Sequence, residues 1–446
     1  MKLNLRFLYL LPLLAMLLTD RALNAFVFGT EEVRPIEPLY MYSLSASSVL
    51  LVLRYHRWLE PGMRWWFWLV AASIGGMCLE SYNEWGVWMK YPHVFSKLNM
   101  LMPLFGLYAF YRRYPALPYK QVVVVVFGGL MLSLVVFHPE ALSLGSFLET
   151  ERGFSVASTY LMLPIALLCL NWYLTKGKLL SGLIALISLA LIVFLQHRTV
   201  WVCTTLALVI DVVLLAWRVP EARVLGRRLT MLGGLGLALG AGSGLAMVLE
   251  NPDVVRKLAG SIEDLQNPTT QGTGSFRMRQ HEIYFPFIEE RFIAGWRLEG
   301  FEIPIQLYDE ADAQVWPNFT GHHFHGFYLD RLFYFGILGL LLVVLVPLVK
   351  LVRALTRPAP LRPELAAMLS FACTFYVYGV SYDWPNYLYG LTGLVLAAIS
   401  FQNAPARTEP AQQRLSYPRF AVTAPIAAPE GAIFSTSSRR LQSPLS

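Results

Sequence analysis

Long, nearly uninterrupted runs of apolar residues, separated by short polar links, occupy most of this chain. Such runs are typical of helices that cross the roughly 30 Å hydrocarbon core of a bilayer, whereas barrel strands alternate apolar and polar residues. The pattern predicts an all-α, polytopic membrane protein with about twelve transmembrane helices. Their approximate limits are 5–27, 36–53, 65–82, 94–111, 120–137, 157–173, 178–195, 200–217, 229–249, 326–349, 365–381 and 384–402.

Lys and Arg recur on every second connection between these runs. The positive-inside rule therefore predicts that both termini lie in the cytoplasm. The net charge of +7 then comes mostly from these cytoplasmic basic residues, which bind anionic lipid headgroups. No nucleic-acid partner is expected. The basic connections contain Lys2 and Arg6; Arg54, Arg57 and Arg64; Arg112, Arg113 and Lys120; Lys176 and Lys178; Arg218, Arg223, Arg227 and Arg228; and Lys350, Arg353, Arg357 and Arg362.

The predicted helices divide the chain into four regions. Residues 1–249 hold the first nine helices, 250–325 form one large periplasmic loop, 326–402 hold the last three helices, and 403–446 form a disordered cytoplasmic tail. The loop contains two stretches with helical patterns, ENPDVVRKLAGSIEDLQN and SFRMRQHEIYFPFIEERF. The first apolar run is expected to be a retained helix, with a cleaved signal peptide as the alternative.

Composition agrees with the membrane class and limits the chemistry. The chain is 56% hydrophobic and only 15% charged, values that exclude a soluble domain of this length. Four cysteines without paired spacing, Cys78, Cys169, Cys203 and Cys373, are expected to be packing residues. The cluster HHFH at 322–325 has no carboxylate or cysteine at a familiar ligand spacing, so neither a metal nor another cofactor is expected.

Charged residues near predicted membrane faces are the candidates for function. Arg198 lies in the very short link FLQHRTVW, where its guanidinium can bind phosphate oxygens or simply extend to the interface. Arg277 and His281 are four apart and share a helix face, whereas Arg279 points elsewhere; the alternative is a solvated face. His325 precedes a helix, where a neutral imidazole can act as a general base.

Three acidic residues have two alternative roles each. Asp330 is expected to pair with Arg331 or with a loop arginine, because five positions separate it from His325 on the helix. Asp211 and Glu80 lie inside predicted spans, where each lines a cavity or hydrogen-bonds a neighbouring helix.

Three motifs occur in order in the second half of the chain. Arg198-Thr-Val-Trp201 begins a span, Arg277 on the loop helix precedes Gly295 by eighteen residues, and His325 precedes Gly336-Ile-Leu-Gly339 by eleven. With the helix count and the late loop, these motifs resemble the bacterial O-antigen ligase and O-antigen polymerase superfamily. The chain departs from the family at Gly326, at His281 and in FIAGWR, where the family has a PLxGxG-like turn.

The resemblance implies a polytopic protein of the bacterial inner membrane that acts as a glycosyltransferase at the periplasmic face, with a glycan on undecaprenyl diphosphate as its donor. His325 would be the general base, and Arg198 and Arg277 would stabilise the charge on the leaving diphosphate, in an inverting reaction without a metal. Further substrate contacts are expected from Arg279, His323, His281, Tyr328, Trp201 and Asp330.

Several alternatives remain open at this point. The favoured acceptor is the lipid A core, as in O-antigen ligation, because the loop is moderate in size. Polymerisation of O-antigen or exopolysaccharide repeats and transfer to a protein hydroxyl are alternatives. A polysaccharide or lipid transporter is a different class, disfavoured because the polar residues collect on one loop rather than near the midplane. A non-catalytic membrane scaffold is the last alternative.

Overall fold

The structure, a computed structural model, describes residues 8–29, 36–115, 117, 119–149, 152–222, 225–236, 272–305 and 324–402, with scattered positions between 253 and 263. Within these ranges the regular elements are α-helices and short 3₁₀ turns, without strands, so the all-α class is confirmed. The α-helices are α1 (Leu11–Leu17), α2 (Arg21–Phe28), α3 (Ile36–Arg54), α4 (Pro61–Trp85), α5 (Pro92–Asn99), α6 (Leu101–Arg113), α7 (Tyr119–Phe137), α8 (Leu144–Glu149), α9 (Val156–Tyr160), α10 (Met162–Lys176), α11 (Leu179–Phe194), α12 (Arg198–Arg218), α13 (Gly272–Glu290), α14 (Phe327–Thr356), α15 (Pro363–Ser381) and α16 (Asn386–Gln402).

Among the described residues, five helical stretches are long and apolar enough to cross a membrane. They are α7, the stretch Val156–Lys176 that joins α9 and α10, α12, α14 and α15. The helices α1 and α2, which meet at 97°, add a sixth if together they form one broken span. The chain is therefore a helical protein of membrane character, and twelve spans stay a prediction.

Burial separates central helices from peripheral ones. In α9 and α10 together, 89% of the most apolar window is buried, against 28% in α7. Peripheral helices expose large apolar side chains, including Trp65, Val124 and Leu179. An apolar outward surface of this extent is expected for helices that face lipid.

The helix that follows His325 is interrupted. Gly336 in α14 has a φ of 60° and a ψ of −166°, a conformation that essentially only glycine adopts. The segment 292–297 lies against this break, and Gly295 there also has a positive φ of 66°. A Cβ on Gly336 would lie 2.4 Å from the carbonyl oxygen of Ile293. Four backbone hydrogen bonds join the two segments, in which Trp296, Arg297, Ile337 and Leu338 donate to Phe333, Tyr334, Phe292 and Ile293.

One ion pair joins this segment to α4, and a second lies within the connection that follows α13. Arg297 pairs with Glu80 of α4 at 3.1 Å, and Arg291 pairs with Glu299 at 2.8 Å. Glu80 thus bonds a residue of the loop, which is neither of the two roles expected for it from the sequence.

Helices α12 and α15 pack antiparallel. Arg218, at the end of α12, donates to the carbonyl oxygens of Ala354, Leu355 and Ala359, and Leu361 N–H donates to Arg218 C=O. At the other end, the start of α12 lies near the end of α15. This places Arg198 and the residue after α15, Tyr382, at one end of the bundle.

Asp211 lies in the middle of α12 and is completely buried. Its Oδ1 accepts from Asn171 Nδ2 at 3.0 Å and from Ser370 Oγ at 3.4 Å. The expectation that Asp211 hydrogen-bonds neighbouring helices is therefore confirmed. The four cysteines are free, and Cys169 and Cys203 are buried among helices.

The predicted loop is described in part. Its second helical stretch is confirmed by α13, and the scattered described positions between 253 and 263 are helical. Residues 306–323, which include His322 and His323, lie outside the described residues, as does the predicted tail from 403 onward.

Candidate functional site

Helix α13 turns one face towards the core, and Arg277 lies at the start of that face. The buried residues Gln280, Tyr284 and Ile288 recur every fourth position, and Arg277 lies seven positions before Tyr284. Arg279 and His281 are exposed. The sequence predicts that Arg277 and Arg279 lie on different faces of the helix, and this pattern is consistent with that prediction.

Aromatic packing joins α13 to the segment that carries His325. The ring of Tyr284 contacts those of Phe324 and Phe333, with centroids 4.6 and 5.6 Å apart. Edge-to-face aromatic pairs of this kind add to the stability gained from burial. Since Phe324 directly precedes His325, this packing places the histidine beside the amino-terminal half of α13.

His325 lies next to Arg277. Its backbone N–H donates to Gln280 Oε1 at 3.4 Å, and its ring lies 5.5 Å from that of Phe276. Partial desolvation of the imidazole, and then the positive charge of Arg277, lower the pKa of His325 below its ordinary value of 6.5. The solvent-accessible ring is therefore mostly neutral at pH 7.

Arg277 also contacts an aromatic residue that the sequence does not single out. Its guanidinium lies over the ring of Tyr382, 4.7 Å from the centroid, in cation–π geometry. Tyr382 follows the last residue of α15 and contacts Tyr378, with ring centroids 5.5 Å apart. Tyr382 therefore fixes the side chain of Arg277 at the end of the bundle.

The turn before α12 is tied to the preceding connection. Gln196, in a positive-φ conformation, donates to Phe147 C=O at 2.6 Å, and His197 Nε2 lies 2.9 Å from Phe154 C=O. Burial is the main reason that the pKa of His197 falls to about 4, so its ring is neutral and Nε2 carries the donated hydrogen. His197 is thus a structural hydrogen-bond donor, and Arg198 follows it as the first residue of α12.

Arg152 lies beside Arg198. Burial is the main reason that the pKa of Arg152 is lowered; the nearby Tyr382 raises it, and repulsion from Arg198 lowers it by a smaller amount. Arg152 was missed from the sequence because the connection 138–156 contains several glutamates. The signal available in the sequence was that Arg152 is directly followed by Gly153 and an aromatic residue.

Below this surface is a buried ion network. Asp330 is almost fully buried and pairs with Lys97 and with Arg331, so its expected pairing with Arg331 is confirmed. Arg331 also pairs with Asp383 at 3.2 Å and donates to Tyr389 Oη at 3.0 Å. Such a network joins α5, α14 and α16, and Lys97 and Asp383 were not predicted. Substrate binding by Asp330 stays a prediction.

Other predicted contacts have structural partners. Trp201 donates its indole N–H to Ile192 C=O at 2.9 Å, and Tyr328 donates its hydroxyl to Tyr376 C=O at 2.9 Å. Their rings are partly buried, and substrate binding by either residue stays a prediction. His323 lies outside the described residues.

The three predicted catalytic residues are connected through their neighbours. Arg277 lies beside His325 and over Tyr382, while Arg152 lies near both Tyr382 and Arg198. We call Arg152, Arg198, Arg277, His325 and Tyr382 the cationic cluster. It combines a neutral base with guanidinium groups, which is chemistry suited to a reaction that deprotonates a hydroxyl and releases an anion.

Comparison with known proteins gives no further assignment: the chain matches no protein-family model, and a search of curated proteins returns no match.

Proposed function

We propose that this chain is a membrane glycosyltransferase that moves a glycan from undecaprenyl diphosphate to an acceptor hydroxyl at the periplasmic face. The observation that supports this best is the cationic cluster, in which Arg277 lies beside His325 and Arg152 links Tyr382 to Arg198. The cluster occurs where helix ends meet, next to apolar helices suited to a polyprenyl chain.

In the proposed reaction, His325 accepts the proton of the acceptor hydroxyl while the hydroxyl oxygen attacks C1 of the donor sugar. The bond from C1 to the phosphate oxygen breaks, and undecaprenyl diphosphate leaves with the bonding electrons. Arg198 and Arg277 stabilise the negative charge that develops on the leaving group, an interaction stronger in the transition state than in the ground state. Direct attack inverts the configuration at C1.

The different environments of His325 and His197 support His325, and not His197, as the proposed base. A base needs an accessible lone pair and a pKa not far below the working pH. His325 is solvent-accessible beside Arg277, whereas His197 is buried, bonded to Phe154 and titrates at about pH 4.

The proposed acceptor is the lipid A core, which makes the reaction O-antigen ligation; repeat polymerisation by the same residues is the alternative. Deletion of the gene distinguishes them on a lipopolysaccharide gel. Loss of a ligase leaves bare cores and accumulated lipid-linked polymer, whereas loss of a polymerase leaves cores that carry one repeat.

The proposed activity is tested in vitro with the full chain in proteoliposomes, lipid-linked glycan and purified acceptor, without an ion gradient. We expect the wild type to form product and His325→Gln to be slower by about 10²- to 10⁴-fold. His325→Gln must still insert and elute as the wild type does. If the wild type makes no product but moves the lipid-linked glycan across the bilayer, it is a transporter and the enzyme proposal is wrong.

A further inference from the structure

The turn that carries Tyr382 is bonded to a buried arginine of another helix. Tyr382 caps the end of α15, and Asp383 follows it. Asp383 Oδ1 accepts from Arg331 Nη2 of α14 at 3.2 Å and from the backbone N–H of Trp384 at 2.8 Å. One carboxylate oxygen thus receives a side-chain donor from α14 and a backbone donor from its own turn. The turn between α15 and α16 is therefore tied to α14.

Arg331 is itself held on several sides, so it provides a fixed support for this turn. Its side chain is only 2% exposed, and it donates to Asp330 and, at 3.0 Å, to Tyr389 Oη. Its guanidinium also lies 4.9 Å from the centre of the Phe327 ring. Phe327 in turn stacks on Trp384, with ring centroids 4.4 Å apart. The turn is therefore held both by the ion pair and by the stacked rings.

The same turn leads directly to the proposed site. The guanidinium of Arg277 lies over the ring of Tyr382, 4.7 Å from its centroid. Two neighbours of Arg277 on α13 contact His325: the ring of Phe276 is 5.5 Å from the imidazole, and Gln280 Oε1 is 3.4 Å from the backbone nitrogen. The position of Tyr382 therefore determines where the charge of Arg277 lies relative to His325.

We propose that Arg331 and Asp383 are positioning residues, which hold Tyr382 so that its ring keeps the guanidinium of Arg277 beside His325. Neither residue contacts the substrate in this assignment. The inference rests on the proposed function, because it explains how a group that stabilises the leaving diphosphate is placed. A displacement of about 1 Å can cost about 10²-fold in rate, so the placement of this charge has a large effect on catalysis.

The pKa of His325 distinguishes this role from a general effect on stability. Asp383→Asn removes a negative charge, and that loss by itself lowers the pKa of a nearby histidine or leaves it unchanged. If the turn also releases Arg277, the imidazole loses a positive neighbour and its pKa increases. An increase that disappears when Arg277 is already neutral can therefore be assigned to the movement of Arg277.

The test uses the full chain in nanodiscs and measures the pKa of His325 from the pH dependence of its modification by diethyl pyrocarbonate, followed by mass spectrometry. We expect Asp383→Asn to raise this pKa towards its value in Arg277→Gln, and to change it no further when the two substitutions are combined. Asp383→Glu, which keeps a carboxylate, should remain closer to the wild type. The matched control is Glu364→Gln, which removes a carboxylate paired with Lys176 at the other end of α15 and should leave the pKa unchanged.

The transfer assay provides a second readout of the same cycle. We expect Asp383→Asn to lower kcat/KM by about 10- to 100-fold. In the Arg277→Gln background the further loss should be less than about threefold, because residues that act through one group are not additive. An unchanged pKa of His325 in Asp383→Asn, or losses of kcat/KM that multiply in the double variant, would overturn the inference.

A second variant applies if Asp383→Asn does not fold. Arg331→Lys keeps the positive charge beside Asp330 but lacks the planar fork that reaches Asp383 and Tyr389 together. We expect the same increase in the pKa of His325, and an unchanged value would again overturn the inference. If the wild type transfers glycan while these pKa values stay constant, the inference alone is wrong. If the pKa responds as expected in a protein that transfers no glycan, the proposed function alone is wrong.

Discussion

His197 directly precedes α12 and His325 directly precedes Gly326, the N-cap of α14, and their surroundings give them different chemistry. His197 is enclosed, and its Nε2 hydrogen is bonded to Phe154 C=O. His325 keeps an accessible ring next to the positive charge of Arg277. Two predictions follow from these differences, one for the rate of transfer and one for stability.

The first prediction concerns the pH dependence of transfer. His325 is active when neutral, so the rate should rise with pH through a pKa below 6.5. Arg277→Gln removes a nearby positive charge that disfavours the imidazolium. The pKa of His325 should therefore increase, and the acidic limb of kcat/KM should move to higher pH, while kcat falls by about 10²- to 10³-fold. Arg353→Gln is the control, and an acidic limb that is identical in all three proteins would contradict the assignment.

The second prediction concerns the buried histidine. The pKa of His197 is about 4 in the folded protein and 6.5 ordinarily, so the unfolded state binds a proton that the folded state does not as pH falls through this range. Because of this group, the free energy of unfolding should decrease by up to about 3 kcal/mol as the pH falls from 6.5 to 4. His197→Asn keeps an N–H donor for Phe154 and cannot titrate. We expect its thermal midpoint in detergent to fall less than that of the wild type between pH 7 and pH 5; parallel decreases would rule out this role.

At the scale of elements, the contact between Gly295 and Gly336 determines where α13 lies. The two backbones approach so closely that neither glycine has room for a Cβ, and the hydrogen bonds of 292–297 occupy groups that the break in α14 leaves unpaired. Because Tyr284 and Arg277 lie on the helix that precedes this contact, the break is part of what brings Arg277 to His325.

The third prediction tests this contact. Gly336→Ala places a side chain in a conformation that costs about 1–3 kcal/mol and brings it against Ile293. We expect a lower thermal midpoint and reduced transfer. Gly75→Ala in α4 is the matched control, because a Cβ there meets nothing within 4 Å and alanine favours a helix. If both variants behave alike, the break does not depend on glycine.

The helices were predictable because apolar runs determine where they lie, and the loop helix was predictable from its polar periodicity. Interruptions inside the apolar runs were not predictable. Neither the break between α1 and α2 nor the break at Gly336 has a proline at the bend. At the first break Asp20 caps α2 by accepting from Ala22 N–H, and the second break is bonded to the distant segment 292–297. In the site, Arg277 and His325 could be proposed from spacing. Lys97 and Arg152 could not, because only the packing of remote connections brings them to Asp330 and Arg198.

At the scale of the whole molecule, the cationic cluster draws its residues from five separate parts of the chain. They are the connection before α9, the start of α12, the amino-terminal part of α13, the segment before α14 and the end of α15. All these positions lie where helices begin or end, while Arg218 and the carbonyl groups that it binds lie at the opposite end of α12. A cluster confined to one end of the helices is consistent with a site on one side of a membrane.

The last prediction tests the side on which the cluster lies. After replacement of the four native cysteines, single cysteines are introduced at Glu140, on the connection that carries Arg152, and at Arg357, just after α14; both side chains are exposed. Basic residues gather near Arg357, so the positive-inside rule places Arg357 in the cytoplasm. Acidic residues gather near Glu140, which the same rule places in the periplasm. A membrane-impermeant maleimide should label Glu140→Cys in intact cells whose outer membrane has been permeabilised, and Arg357→Cys only after the inner membrane is opened. Labelling of Arg357→Cys in intact inner membranes would reverse the orientation and remove the cationic cluster from the periplasmic face, where the glycan of undecaprenyl diphosphate is expected.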